Sequence, residues 1–414
     1  MKTIIKNIAE LVQTENIPKK WVTGKDMQNI NVIKDAFIEI QHGIITDFGG
    51  MNNWKGIENW SSTNIIDAEG GTVFPSYCDS HTHLIFAESR ESDFIDRING
   101  LSYEEIAANG GGILNSVEKL RNKSEDQLYE DALIRLKKII QMGTGAIEIK
   151  SGYGLTMESE IKMLKVIKRL KKASDIKIKA TFLAAHALPK EYRENKDGYI
   201  DLIINEMLPR VVDENLADYI DIFCEVGYFN VKDTIKILEA AKKFELQAKT
   251  HVNQFNAIGG IKASVNLGAI SVDHLENMKE EDFNALKNSN CMPTILPSCS
   301  FFLGIPYSPA KEMIKRGLPI ALASDYNPGS SPSGNMNFVS SLGCIKLKLT
   351  PQEVINATTI NTAYAMGIEK EVGSIAKGKQ ANLFITKPIP SYTYLAYSFG
   401  ENLIDKVFIN GKLQ

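Results

Sequence analysis

Cysteine is scarce and dispersed. Cys78, Cys224, Cys291, Cys299 and Cys344 are odd in number and form no CxxC pair. That spacing excludes a zinc knuckle and a disulfide framework, and it predicts reduced thiols in a cytoplasmic protein. Long apolar runs are lacking as well. None approaches a membrane span, and the opening MKTIIKNIAELVQTE has no sustained apolar stretch of the kind a signal peptide carries. We therefore expect a soluble chain with no membrane partner. Charge of one sign is missing too: 47 Lys and Arg face 50 Asp and Glu, for a net charge of -3. Such balance points away from nucleic acid and anionic membranes. The basic stretch from Lys168 to Lys172 and the pair Lys346 and Lys348 read as solvated faces. Histidine is scarce as well, at six in 414 residues.

What is present has a clear rhythm. Residues 1–70 read as short strands and turns. Ala36–Ile40 and Ile44–Phe48 alternate around His42-Gly43 in a hairpin pattern. The C-terminal end has the same style, with strand-like Ala381–Ile385 and Lys406–Ile409 and a tight-turn signal at Asn410-Gly411. Neither end suffices alone, so both are expected to join into one small β-sandwich domain (residues 1–70 and 367–414). Between them, residues 71–366 alternate short apolar strands with helical stretches, the mark of parallel βαβ units. Eight strands are predicted: Thr72–Asp79, Ala146–Lys150, Lys177–Ala185, Tyr219–Glu225, Leu246–His251, Ala269–His274, Met292–Leu296 and Pro319–Asp325. Helices are predicted over Glu125–Met142 and Met157–Lys172 from their apolar spacing. The fold class is therefore α/β, a TIM-like (β/α)8 barrel with its active site at the C-terminal strand ends.

Five of the six histidines fall at or just past a predicted strand end: His81, His83, His186, His251 and His274. Asp325 ends the eighth strand. His81 and His83, two apart in an extended segment, face the same side. A bare HxH is more often two histidines in a turn. Five histidines converging on one rim are hard to explain by packing, because buried polar groups need partners. A metal explains them. His81, His83, His251 and Asp325 are the expected ligands, leaving room for one water. Asp325 is placed as proton acceptor and donor, with His274 and His186 orienting water or polarising a substrate carbonyl. Either His274 or Asp325 can serve as the main proton acceptor.

The DxHxH at strand one, the histidines of strands five and six, the aspartate of strand eight and the ending GSIAKGKQANL (373–383) resemble the amidohydrolase superfamily. Within it, the chain is similar to the imidazolonepropionase family over residues 36 to the end. The segments carrying that likeness are HTHLIFAESRESDF (81–94), SYEEIAANGGGI (102–113), EIKSGYGL (148–155), FLAAHALP (182–189), HVNQF (251–255), SVDHLE (271–276) and ASDYNPGSSP (323–332). The resemblance implies one zinc or iron ion per chain on the same four ligands. It also implies hydrolytic opening of a small imidazolone ring carrying a propionate tail, a step of histidine degradation. Substrate contacts carry over onto Arg90, Tyr153, His186, Gln254, Asn327, Gly329 and Ser330. Arg90 is the expected carboxylate clamp, Tyr153 sits in what reads as a flexible Gly-Tyr-Gly loop, and backbone N–H groups of the Asn327–Gly334 loop are offered to a carboxylate. Gln254 stands where some members have glutamate and is assigned hydrogen bonding only. Ser76 and Asn382 depart from the family pattern and are read as structural. Glu225 and Lys150 could support a second metal, but one is expected. Alternatives are another aminohydrolase or deaminase of the superfamily acting on a heterocycle, and a non-catalytic homologue that keeps the barrel for assembly. Oligomeric state is nearly illegible; a homodimer is kept open.

Overall fold

The computed structural model describes residues 2–57, 59–101, 105–106 and 109–414. Part of the motif at 102–113 thus lies outside the described residues. Eight parallel strands form the barrel: β1 (Tyr77–Asp79), β2 (Thr144–Lys150), β3 (Lys177–Ala185), β4 (Tyr219–Cys224), β5 (Gln247–Val252), β6 (Ser271–His274), β7 (Met292–Ile295) and β8 (Ala321–Leu322). Each pairs with its neighbours in chain order. Just past the ends of β1 and β8 the backbone closes the ring. Asp325 N–H donates to the His81 carbonyl at 3.0 Å, and His83 N–H donates to the Tyr326 carbonyl at 2.9 Å.

A second sheet of eight strands, with a separate two-stranded ladder, is built from both ends of the chain. Along its path lie Lys412–Leu413, Ile404–Ile409, Leu383–Thr386, Thr72–Pro75, Lys2–Val12, Val32–Gln41 and Ile44–Gly50, with Thr63–Asp67 paired to Lys2–Val12. Its core packs Ile5, Ile8, Leu11, Ile38, Leu383 and Phe408. The hairpins expected around His42-Gly43 and Asn410-Gly411 are both present.

The predicted first strand, Thr72–Asp79, is in fact two. Thr72–Pro75 belongs to the terminal sheet, and the chain crosses into the barrel at Ser76. Proline lacks the N–H that a continuing ladder needs. Both departures from the family pattern sit at this crossing. Ser76 N–H donates to the Asn382 carbonyl at 2.9 Å, and the Asn382 side chain bridges the Gly145 carbonyl and the Asn410 N–H. The helix Glu125–Gln141 starts at a Ser124–Gln127 capping box and buries Leu128, Ala132, Leu136 and Ile139. Met157–Ala173 is capped by Thr156 and buries Ile161, Leu164 and Ile167. All five cysteines are unpaired. Among the described residues no helix is long and apolar enough to cross a membrane.

Candidate metal centre and substrate cavity

Alternation along the strands brings the ligand set together. His81 and His83 continue β1, His251 lies on β5, and Asp325 follows β8 with a φ of +54°. His83 Nε2 lies 3.4 Å from His251 Nε2. Asp325 Oδ1 lies 3.6 Å from Nε2 of both His81 and His83. Metal–nitrogen bonds of about 2.0–2.1 Å at tetrahedral angles give ligand separations of about 3.3–3.4 Å, close to these. His81 Nε2 is buried and has no hydrogen-bond partner among the described residues. A buried nitrogen left so is costly unless something fills the point it faces, and the donor set therefore fits a cation.

Nδ1 of two of the three histidines faces a carboxylate. His81 Nδ1–H donates to Asp273 at 2.6 Å, and His251 Nδ1 lies 3.0 Å from Asp221 Oδ2. The Asp273 bond fixes the His81 tautomer that turns Nε2 toward the common point, and Asp221 stands beside Nδ1 of His251. Burial, then neighbouring cations and imidazoles, holds His81 and His83 well below the usual histidine range. Burial outweighs Asp221 to bring His251 down to about 3. All three are thus neutral, the form a metal requires.

A cavity of about 900 Å³ opens above them. Of the expected site residues, every one except His81 lines it; His81 lies beneath. His186 stacks on His83, with ring centroids 5.0 Å apart, and donates Nδ1–H to the Gly152 carbonyl at 3.1 Å. Burial brings its pKa down to about 4, so its ring is neutral and Nε2 is left as an acceptor. His274 is the opposite case. Burial works against its charge, but Glu276, Asp325 and Asp273 outweigh it and raise the pKa. Its φ of +91° is a strained backbone of the kind that collects at functional sites.

Arg90 precedes the short helix Glu91–Ile98. Asp93 accepts from both its Nε and Nη2 at 2.7 Å and also from the Gly112 N–H at 3.0 Å. The Nη1 end of the guanidinium lies against Gly329, where a Cβ would come within 2.1 Å of Nη1. Gln254 donates to Cys299 Sγ at 3.4 Å.

Two loop expectations change. The Gly152–Gly154 loop is pinned, because buried Glu160 accepts N–H bonds from Gly152, Gly154 and Leu155 at 3.1, 2.8 and 2.8 Å. In the Asn327 loop, the N–H groups of Gly329 and Ser330 both donate to Asn327 Oδ1 at 2.8 Å, so these two are already engaged. The candidates for a second metal are engaged too. Glu225 accepts from the N–H groups of Val226, Phe255 and Asn256, and Lys150 is enclosed by carboxylates. Sequence reasoning passed over Asp93, Glu160, Asp221 and Asp273. The last two could have been found as charges standing alternately with apolar residues in YIDIF and SVDHL.

Comparison with known proteins adds the following. The model of the amidohydrolase family matches residues 72–413. Proteins named imidazolonepropionase from Flavobacterium johnsoniae and Christiangramia forsetii are 57% and 56% identical, each covering 100% of both chains. One from Alkaliphilus oremlandii is 42% identical over 99% of this chain and 97% of its own. Among solved structures, a zinc-bound adenosine deaminase from Xanthomonas campestris superposes with a TM-score of 0.73 at 14% identity, covering 99% of this chain and 92% of its own. A guanine deaminase from C. acetobutylicum with bound guanine superposes at 0.70 and 16% identity, covering 100% of both chains. At such identities these two speak for the fold alone.

Proposed function

The chain belongs to the amidohydrolase family, and from that premise we infer that it hydrolyses the cyclic amide of 4-imidazolone-5-propanoate to N-formimidoyl-L-glutamate. The observation that carries this reading is the 57% identity, over the full length of both chains, to a relative named for that activity.

We assign one zinc or iron ion per chain to His81, His83, His251 and Asp325. Such an ion, when bound, lowers the pKa of water and polarises a carbonyl oxygen. The chain's own groups supply the rest. Asp325 Oδ2, 3.3 Å from the Ser330 hydroxyl, takes the proton of the attacking water and returns it to the ring nitrogen as the C–N bond breaks. His274, whose pKa its carboxylate neighbours raise against burial, donates to the ring carbonyl oxygen. His186, with Nδ1–H committed to Gly152, is an acceptor for a substrate N–H rather than a carbonyl polariser. Arg90, oriented by Asp93, grips the propionate, and Tyr153 and Gln254 flank the ring. Asn327, Gly329 and Ser330 shape the wall behind the tail.

The test is to follow the ultraviolet absorbance of freshly made 4-imidazolone-5-propanoate with purified protein, and to identify the product. Protein-dependent loss of substrate with formation of N-formimidoyl-L-glutamate is expected. No turnover of it, together with ammonia release from a heterocyclic amine, would move the chain to the deaminases.

A further inference from the structure

Barrel interiors are normally filled by layers of branched apolar side chains. Below the ligand histidines this one holds five charged residues, each at most 1% exposed: Glu148 and Lys150 on β2, Asp221 on β4, Lys249 on β5 and Asp273 on β6. Residues two apart on a strand share a face, so Lys150 lies one layer above Glu148, and His251 one layer above Lys249. The lower layer is tied together by its own pairs and joined to the upper one through Glu148. Glu148 pairs with Lys249 and accepts from Thr181 Oγ1 at 2.6 Å, while Lys249 also donates to the Ser80 carbonyl at 2.9 Å.

The upper layer faces the metal centre. Lys150 Nζ lies 2.6 Å from Glu148, 2.8 Å from Asp221 Oδ2 and 3.8 Å from Asp273 Oδ2. Those same two oxygens meet the Nδ1 atoms of His251, at 3.0 Å, and His81, at 2.6 Å. One ammonium therefore touches both carboxylates that orient two of the three ligand imidazoles. We propose that Lys150 is a positioning residue, which sets His81 and His251 for cation binding through Asp273 and Asp221.

Charge points the same way. Two buried cations stand against three buried carboxylates, a deficit that a cation on the histidines above offsets. Removing the ammonium leaves three anions with one partner in a medium of low dielectric. Asp221 and Asp273 then take up protons or turn away, and each imidazole loses the anionic acceptor that raises its basicity as a ligand. Burial pulls the Lys150 pKa down, but Asp221, Glu148 and Asp273 outweigh it and keep the ammonium charged. His83 has no carboxylate of this kind on Nδ1 among the described residues, so the device acts on two ligands and spares the third.

The proposal rests on the metal assignment above, and the experiment separates the two. Metal-free full-length protein is titrated with Co²⁺, the visible absorption is recorded, and Kd is obtained by competition with a chelator. Wild type is expected to bind one Co²⁺. Lys150→Met, Asp221→Asn and Asp273→Asn are each expected to weaken Kd by about 10- to 100-fold and to change the band shape. On an Asp221→Asn background, Lys150→Met is expected to cost less than it does alone, because one of its routes is already cut. Lys150→Gln, which keeps length and a donor, replaces Lys150→Met if the latter does not fold. Wild-type binding with unchanged Kd and spectrum in the Lys150 variant, even at a lowered melting temperature, overturns the proposal alone. No binding by wild type overturns the metal assignment and the proposal with it.

Discussion

Gly329→Ala tests the proposed Arg90 carboxylate clamp without removing a charged group. The φ of Gly329 lies outside the left-handed region, so alanine fits the backbone there. Its N–H bond to Asn327 is independent of the side chain. The added methyl, however, would sit 2.1 Å from Arg90 Nη1 and 2.9 Å from Cζ, far inside contact distance. The guanidinium must move by about an ångström or more to reach ordinary separations of about 3.5 Å. Two bonds to Asp93 at 2.7 Å resist that movement, so the face turned to substrate is the one that loses alignment. Charge-assisted hydrogen bonds are worth about 1.5–3 kcal/mol, or roughly one to two decades in kcat/KM at about 1.4 kcal/mol per decade. The propionate is remote from the breaking bond, so the loss should fall on KM, with kcat kept within a few-fold. Stability should change little, by about 0.5 kcal/mol or less. Steady-state kinetics on Gly329→Ala, Arg90→Ala and the double variant provide the check. In an Arg90→Ala background the methyl has nothing to displace and should add no further loss. A wild-type KM in Gly329→Ala would refute the clamp, and a full effect surviving in the Arg90→Ala background would assign it to the loop instead.

Three further outcomes are expected. His81→Ala and His251→Ala should each lose bound metal and turnover while far-ultraviolet circular dichroism stays native; retained activity in metal-free protein would refute the ligand set. Asp325→Asn should keep some metal and lose nearly all kcat, whereas His274→Asn should keep metal and lose less, since acid–base transfer is worth roughly 10²–10⁴; the reverse order, with metal fully bound, would make His274 the base. Glu160→Gln puts an amide among three N–H donors and leaves at least one unpaired, a cost of about 1–3 kcal/mol readable by urea denaturation; a midpoint unchanged from wild type would show that the Tyr153 loop is held by something else.

The cluster of histidines proposed to hold the metal was legible because its signal is local. His81 and His83 are two apart on one strand, and histidine is rare enough in this chain for five at strand ends to stand out. The helix Glu125–Gln141 was legible for the same reason, since its apolar spacing lies within one short window. How the charges beneath the histidines pair with one another was not legible. Asp221 and Lys150 lie 71 positions apart, and nothing near either announces the pairing. A lone charge in an apolar strand reads equally well as an edge residue. The division of Thr72–Asp79 between two sheets was hidden by its mostly apolar character, with Pro75 and Ser76 the only marks. The pinning of Tyr153 was hidden because flanking glycines read as freedom, while the restraint comes from Glu160 on the following helix.

The ring closes where the ligands are. The backbone groups that join the first strand to the last belong to His81, His83, Asp325 and Tyr326, residues more than 240 positions apart. Asp79 reinforces this seam by accepting from both the N–H and the hydroxyl of Ser324. A barrel sprung open elsewhere along its wall would still hold these groups in register, but one sprung open here would carry three histidines with no carboxylate opposite them. If the proposed ligands hold a cation, the centre acts as a clasp: the last strand of the barrel to be synthesised makes it whole, and the cation would tie the first strand to the last. Amide exchange at His83 and Asp325 would then report loading of the centre and closure of the barrel together.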